Sequence, residues 1–236
     1  MPATPQFAAE QDNGAFKRQE DSFRHWTVAD PASRFSAETD RYHLYVSLAC
    51  PWAHRTLIVR HVKCLESVIG VTVVDPVRDE RGWRFTDGPG HTTDPVNGFK
   101  FLSEAYRATD AGFEGRFTVP VLWDKKTKQI VNNSEDDICR MFNDVFAAVS
   151  RCDVNLFPID IETEHAKLAA FIYEKINNGV YEAGFATSQT EYERACHALF
   201  TALDDIDTRL ATRRFLFGPR IVAADWRLFC TLVRFD

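Results

Sequence analysis

The chain has 236 residues, of which 45% are apolar and 13% aromatic, enough to build packed cores and to exclude disorder as its general state. Its 28 Lys and Arg against 34 Asp and Glu leave a formal net charge of −6, so no basic excess favours binding to a nucleic-acid backbone. No apolar stretch approaches the roughly 20 residues that span a bilayer, and the first residues carry no secretory signal pattern. We therefore expect a soluble, cytoplasmic protein that has neither nucleic acid nor a membrane as its partner.

The first half of the chain predicts the element order of the thioredoxin fold. Residues 1–40 are polar and irregular, and they predict an extended N-terminal arm whose aromatic rings dock on the body of the protein. The elements that follow are a strand over 42–48, a helix after Cys50, a strand over 68–74, a helix over 98–109, strands over 118–123 and 129–131, and a helix from Asn133 or Ser134 to about 148. This order assigns residues 41–150 to an α/β thioredoxin-like domain.

The second half predicts helices only. Apolar positions over 161–176 recur every three or four residues, and Asn178-Gly179 ends that helix. Ser188 starts a capping-box pattern that opens a long amphipathic helix. A further helical pattern begins at Ala224 and is still running at the last residue. Residues 151–236 are therefore expected to form an all-α domain of which only part is present.

Cys50 lies where a strand turns into a helix, and Pro51 suits the first helical position. The N–H groups and positive dipole end of a helix stabilise a thiolate, and cysteines at such places typically have pKa values of ~3.5–7.5. Cys50 is therefore predicted to be a catalytic nucleophile, with a buried structural cysteine as the alternative. The next three residues contain no second cysteine, so an external thiol must resolve any mixed disulfide, and the abundant cytosolic thiol is glutathione.

The segment Thr118-Val119-Pro120 follows that cysteine by about 70 residues. Thioredoxin-fold proteins place a cis-proline at this point of the element order, which leaves the N–H and C=O of Val119 available to an extended peptide. The cysteinyl unit of glutathione is such a peptide. The alternative is an ordinary proline on an edge strand.

The other cysteines and the histidines give no further site. Six cysteines in a chain of this length are not a disulfide framework, and we expect all of them to be thiols in a reducing compartment. His54 and His61 follow Cys50, but a second cysteine pair or carboxylates at ligand spacing are missing. No metal site is predicted.

Five segments of the chain together resemble the glutathionyl-hydroquinone reductases, which are the xi class of glutathione transferases. They are YHLYVSLACPWAHRT (42–56), VVDP (73–76), TVPVLWD (118–124), NNGVYEAGFA (177–186) and ADWRLF (224–229). The resemblance extends from about residue 16 to the last residue and implies an all-α glutathione-transferase C-terminal domain.

The resemblance implies that the protein reduces glutathionyl-hydroquinones. The Cys50 thiolate takes the glutathionyl sulfur, and a second glutathione, the co-substrate, resolves the mixed disulfide. The residues implied to contact the substrates are Trp83, Arg116, Val119 and Pro120 for glutathione and Tyr181 for the quinol. The resemblance also implies a homodimer and no metal.

The sequence departs from the family pattern in three places. Ser134-Glu135 stands where the family usually has Glu-Ser, the pair that binds the γ-glutamyl end of glutathione, and on a helix this exchange moves the carboxylate by about 100°. Asp136 is a substitute carboxylate. Val222 stands where similar proteins have a capping hydroxyl three residues before Asp225, at a typical cost of ~1 kcal/mol. Family members also continue for several helices beyond the last residue of this chain.

Two other functions stay open at this point. An omega-like thiol transferase or dehydroascorbate reductase also uses a single cysteine at a helix N-terminus. The second alternative is a truncated, non-catalytic protein that binds glutathione or serves as an interaction module. Its support is the unfinished last helix and the Ser134-Glu135 order.

Overall fold

The computed structural model describes residues 10–235, which divide into two compact units. The sheet unit comprises residues 21–155. The helical unit comprises the described parts of 1–20 and 156–236. No described helix combines the length and the apolar composition that a membrane crossing requires.

Six strands and seven α-helices make up the described part of the chain. The strands are β1 (Gln11–Asp12), β2 (Ala15–Phe16), β3 (Tyr42–Val46), β4 (Gly70–Val73), β5 (Val121–Asp124) and β6 (Gln129–Asn132). The α-helices are α1 (Pro51–Val62), α2 (Leu102–Thr109), α3 (Glu135–Asp144), α4 (Glu162–Phe171), α5 (Gly179–Gly184), α6 (Gln189–Leu210) and α7 (Ala223–Leu232). Short 3₁₀-helices cover Phe146–Val149 and Ile159–Ile161, and a π-helix covers Ile172–Asn177.

The sheet of the sheet unit has four strands in the order β4-β3-β5-β6. The central strand β3 is parallel to β4 and antiparallel to β5, and β5 is antiparallel to β6. Every residue of β3 and β5 is buried, as in a sheet that is covered on both faces. The predicted α/β thioredoxin-like order is confirmed.

The start of α2 differs from the prediction. The helix begins at Leu102 rather than at Gly98, because the Glu104 carboxylate accepts hydrogen bonds from the backbone N–H groups of Lys100 and Phe101, both at 2.8 Å. Gly98 itself has a φ of 70°, a left-handed conformation that a helix does not contain. The side chain of Glu104 therefore fixes the first turn four residues later than the apolar pattern indicates.

Residues 23–25 of the predicted arm lie along β6. The backbone N–H of His25 donates to the Val131 carbonyl at 3.0 Å. The side-chain oxygen of Asn133 accepts from the Phe23 N–H at 2.8 Å, and the Asn133 N–H donates back to the Phe23 carbonyl at 3.0 Å. These bonds satisfy backbone groups at the edge of the sheet that would otherwise need water.

The irregular insertion over 76–98 is held to β3 by one buried carboxylate, that of Asp94. The Tyr45 hydroxyl donates to it at 3.0 Å. Three backbone N–H groups also donate to it, those of Val96, Asn97 and Phe99. The end of the insertion is therefore fixed to the central strand.

Cys64 and Cys152 form a disulfide, so the prediction that all six cysteines are thiols is wrong for these two. They are 88 positions apart in sequence, yet their Cα atoms are only 5.6 Å apart. The pairing depends on the packing of the turn after α1 against the segment after α3. The spacing of the cysteines in the sequence does not indicate this packing. The other four cysteines, Cys50, Cys139, Cys196 and Cys230, take part in no disulfide.

The core of the helical unit lies between the π-helix, α6 and α7. Its fully buried members include Ile176, Leu216 and Ala224. As predicted, α6 begins after Ser188, whose hydroxyl accepts from the Glu191 N–H at 3.3 Å. The predicted break near residue 178 is also present, since the π-helix ends at Asn177 and α5 starts at Gly179.

The start of α7 shows what remains of a helix cap. Val222 is the N-cap residue and makes no side-chain cap hydrogen bond, as the sequence predicts. The Asp225 carboxylate still accepts from the Val222 N–H at 2.8 Å and from the Leu216 N–H at 2.8 Å. Half of the reciprocal box is therefore present and ties the preceding loop to the helix.

Candidate active site

Cys50 is the N-cap residue of α1, as the sequence predicts. Its backbone is extended, with φ −95° and ψ 116°, and its sulfur accepts from the Ala53 N–H at 3.5 Å. Its own N–H donates to the Ser47 carbonyl at 3.1 Å, which holds the turn between β3 and α1. The side chain is half-buried. The sulfur therefore lies at the positive end of the helix, where a negative charge is stabilised.

The loop before β5 brings a second predicted feature to this sulfur. The peptide bond between Val119 and Pro120 is cis, as predicted. The Cys50 Sγ lies 3.6 Å from the Val119 carbonyl oxygen and donates to it. Two motifs about 70 residues apart in sequence thus meet in the sheet unit, which is the arrangement that a thioredoxin-like thiol site requires.

A buried hydroxyl network supports the cis-proline loop. The Tyr106 hydroxyl donates to the Thr118 carbonyl at 2.9 Å and accepts from the Thr118 N–H at 3.1 Å. The Asn133 amide donates to the Thr118 hydroxyl at 3.2 Å. Burial raises the pKa of Tyr106 to about 12, so the phenol keeps its proton. The loop that carries Val119 is therefore positioned by a network that does not titrate near neutral pH.

Arg55, which the sequence analysis missed, links α1 to the first turn of α3. Its guanidinium donates to the Glu135 carboxylate at 2.7 Å and also to that of Asp136. Its side chain is 5% exposed, against 10% for Glu135 and 50% for Asp136. Burial opposes the arginine charge, but the two carboxylates outweigh it and raise the pKa of Arg55 above its usual value.

One signal in the sequence could have indicated Arg55. It precedes Val59 by four positions, so the two share a helix face, and both are buried. A charged residue on an apolar helix face needs a partner of opposite charge, and the acidic first turn of α3 supplies one.

Ser134 is the N-cap residue of α3, but its hydroxyl makes no cap hydrogen bond. The Ser134 N–H instead donates to the Asn132 side chain at 2.7 Å. Both Ser134 and Glu135 are buried. The predicted pair is thus at a helix N-terminus, with Glu135 held by the helix that begins next to Cys50.

Trp83 and Arg116 are half-buried residues of the sheet unit. The Trp83 carbonyl accepts from the Leu102 N–H at 2.9 Å, and the Arg78 guanidinium lies 5.4 Å from the centre of the Trp83 ring. The contacts of this tryptophan therefore tie it to the start of α2.

Tyr181 belongs to the helical unit, on α5. Its ring stacks on Phe16 with centroids 6.2 Å apart, and the Arg18 guanidinium lies 4.4 Å from its centre. Arg18 in turn donates to the Asn178 side chain at 2.9 Å. Residues from the beginning of the described chain therefore fix this tyrosine. That an aromatic ring of the arm packs in this way agrees with the prediction, but the sequence did not indicate Tyr181 as its partner.

Among residues 10–235, no group of three or more His, Cys, Asp and Glu side chains has the arrangement of a metal site.

Comparisons with known proteins identify the family. The glutathione S-transferase N-terminal domain family matches residues 49–145, and the glutathione S-transferase C-terminal domain family matches residues 189–236. The chain is 47% identical to the glutathionyl-hydroquinone reductase YqjG of Escherichia coli, over 94% of this chain and 70% of that protein. It is 42% identical to the glutathionyl-hydroquinone reductase PcpF of Sphingobium chlorophenolicum, over 98% of this chain and 72% of that protein.

Solved structures agree with this. The glutathione S-transferase Xi of Phanerochaete chrysosporium has a TM-score of 0.90 and 44% identity, covering 94% of this chain and 76% of that one. The glutathione-bound structure of YqjG has a TM-score of 0.86 and 47% identity, covering 91% of this chain and 72% of that one. The chain belongs to the glutathionyl-hydroquinone reductases, the Xi class of glutathione transferases.

Proposed function

We propose that this protein is a glutathione-dependent reductase that removes glutathione from glutathionyl-hydroquinones through Cys50. The Cys50 thiolate attacks the glutathionyl sulfur, forming an S–S bond and breaking the bond between that sulfur and the ring carbon. The ring carbon keeps the electron pair and takes up a proton, which yields the hydroquinone. A second glutathione then attacks the mixed disulfide, so that oxidised glutathione leaves and the Cys50 thiol returns.

The observation that carries this proposal is the meeting of the Cys50 sulfur with the Val119 carbonyl at a helix N-terminus. The thiol donates to that carbonyl in the resting state. A thiolate has no proton to donate, so ionisation leaves the carbonyl to accept the cysteinyl N–H of glutathione. Charge formation on the sulfur and docking of glutathione are thus coupled through Val119 and the adjacent Pro120.

The start of α3 is the proposed site for the γ-glutamyl end of glutathione. That group carries an ammonium and a carboxylate. The N-terminus of a helix favours the carboxylate, next to the Ser134 hydroxyl. Glu135 is buried against Arg55, whereas half of the Asp136 side chain is exposed. Of the two carboxylates, Asp136 is therefore better placed to meet an incoming ammonium.

We also propose substrate contacts for three further residues, which are Trp83, Arg116 and Tyr181. The first two are assigned to glutathione, one as an aromatic contact and one as a cation for its carboxylates. Tyr181, held by Phe16 and Arg18, is assigned to the quinol. Homodimerisation, which the family resemblance implies, also stays a prediction. A compartment that holds reduced glutathione, as the cytoplasm does, suits the reaction.

Substrate comparison tests the reaction class. The purified chain should turn over a glutathionyl-hydroquinone such as glutathionyl-menadiol much faster than it reduces dehydroascorbate. The reverse ratio would favour an omega-like thiol transferase, a reading that has support because a relative from Schizosaccharomyces pombe with 44% identity is named glutathione S-transferase omega-like 2. Glutathione-resin retention without turnover of either substrate would favour a non-catalytic binding protein.

A further inference from the structure

The Cys64–Cys152 disulfide lies at the opposite end of α1 from Cys50. Cys64 directly follows Lys63, the C-cap residue of α1, and its φ is 50°. Cys152 lies in the segment after the 3₁₀-helix that ends at Val149. Both cysteines are half-buried, so each presents part of its surface to solvent. Neither residue is therefore enclosed in the core.

Hydrogen bonds hold the same two segments together without the covalent bond. The Lys63 ammonium donates to the Val154 carbonyl at 2.6 Å. The Ser150 hydroxyl lies 2.6 Å from the Lys63 carbonyl, to which it donates, and accepts from the Cys152 N–H at 3.1 Å. After reduction these contacts still hold the two sulfurs near each other. Their reoxidation is then an intramolecular ring closure at high effective concentration.

We infer that Cys64 and Cys152 form a second thiol–disulfide site, separate from Cys50, whose ligand is a small cytosolic thiol of the glutathione type. A glutathione thiolate bonds to one sulfur of the pair and expels the other as a thiolate. A second glutathione attacks this mixed disulfide and leaves as oxidised glutathione, and two protein thiols remain. Two electrons pass to the protein, and two glutathione molecules are oxidised to one disulfide.

The reverse direction uses the product of the proposed reductase reaction. A thiolate of the reduced pair attacks one sulfur of oxidised glutathione and releases one glutathione. The neighbouring thiolate then attacks this mixed disulfide, closes the protein disulfide and releases the second glutathione. The redox state of the pair therefore depends on the squared concentration of reduced glutathione divided by the concentration of oxidised glutathione, because two reduced molecules are consumed for each oxidised one formed. This property does not require turnover at Cys50, because oxidised glutathione also has other sources.

Thiol counting in glutathione buffers tests the inference. A Cys50→Ser variant removes the catalytic sulfur and leaves five cysteines. After equilibration at set ratios of reduced to oxidised glutathione and acid quenching, maleimide labelling under denaturing conditions counts the thiols. We expect three at the oxidising end, five at the reducing end, and a single reversible transition between them.

Two double variants locate the transition. Cys50→Ser with Cys64→Ser should lose it, whereas Cys50→Ser with Cys196→Ser should keep a change of two thiols, because Cys196 takes part in no disulfide. Hydrogen exchange should also become faster over 150–154 on reduction while the amides of β3 stay protected. A constant thiol count across the glutathione range, or a transition that persists without Cys64, would overturn the inference.

Discussion

The two ends of α1 carry two sulfur sites of different kinds. At its N-terminus Cys50 accepts a cap hydrogen bond from Ala53 and meets the Val119 carbonyl. At its C-terminus Cys64 lies outside the helix and is bonded to Cys152. The N–H groups at the first end stabilise an anionic sulfur, while the carbonyl groups at the other end do not. Helix polarity thus favours nucleophilic chemistry at one end of the helix and leaves a disulfide at the other.

The largest effect that distinguishes the two ends is loss of the nucleophile. Cys50→Ser should lower turnover of a glutathionyl-hydroquinone by about 10³-fold or more, because no other group replaces the thiolate. Serine is itself a good N-cap residue, so the melting temperature should stay close to that of the parent chain. Steady-state rates and thermal melts measure the two outcomes.

The control changes the other end of the helix. Cys64→Ser should keep turnover within a few-fold of the parent, and so should Cys196→Ser on α6. Equal losses in the Cys50 and Cys64 variants would remove the distinction between the two ends.

The next effect concerns the buried ion group that joins α1 to α3. Arg55→Met leaves the buried Glu135 carboxylate without its cation, and breaking a buried pair in this way typically costs about 3–5 kcal/mol. Urea unfolding measures the change. Arg81→Met removes an exposed pair with Asp79 in the same unit and should leave the free energy of unfolding close to that of the parent chain. A similar small loss in both variants would show that Arg55 does not hold the two helices together.

The third effect is a pH dependence of the free energy of unfolding, caused by His43 on β3, the strand that precedes α1. Burial lowers the pKa of His43 to about 4, against 6.5 in an unfolded chain. Between these values the unfolded state binds more protons, so stability is lost as pH falls from about 6.5 towards 4, by up to about 3 kcal/mol. His43→Gln should flatten this part of the profile of unfolding free energy against pH. If the variant keeps the slope of unfolding free energy against pH that the parent chain shows between pH 4 and 6.5, His43 is not the group responsible for it.

The smallest effect compares two N-caps. Ser188 caps α6 as Cys50 caps α1, with an acceptor 3.3 Å from the Glu191 N–H. Ser188→Ala should cost about 1 kcal/mol in urea unfolding and leave turnover unchanged. Thr190→Ala, at an exposed position in the same helix, serves as the control and should not destabilise the protein. If the Ser188 variant lost turnover, loss of a cap hydrogen bond far from Cys50 would be enough to lower activity, and the contrast between the two N-caps would fail.

Much of the site could be predicted because its signals are local. A proline after Cys50 fixes a helix start, and the segment Thr118-Val119-Pro120 falls at a defined point of the element order. Ser188 marks the start of α6 through its cap hydrogen bond, and Ser134 takes the N-cap position of α3 without one.

The remainder could not be predicted because it depends on contacts between distant segments. Arg55 meets Glu135 across 80 positions, and Cys64 meets Cys152 across 88. The packing of Phe16 on Tyr181 likewise joins residues that are 165 positions apart in sequence. A sequence pattern shows that a buried arginine or a cysteine needs a suitable environment, but only the fold determines the partner.

Trapping the covalent intermediate tests the role of Cys50 most directly. The protein is mixed with one equivalent of a glutathionyl-hydroquinone in the absence of free glutathione, quenched with acid, and mapped by peptide mass spectrometry. We predict release of one hydroquinone per chain and one glutathionyl group on the peptide that contains Cys50. Hydroquinone release with the glutathionyl group on Cys64 or Cys152, or with no glutathionyl group on the protein, would contradict the assignment.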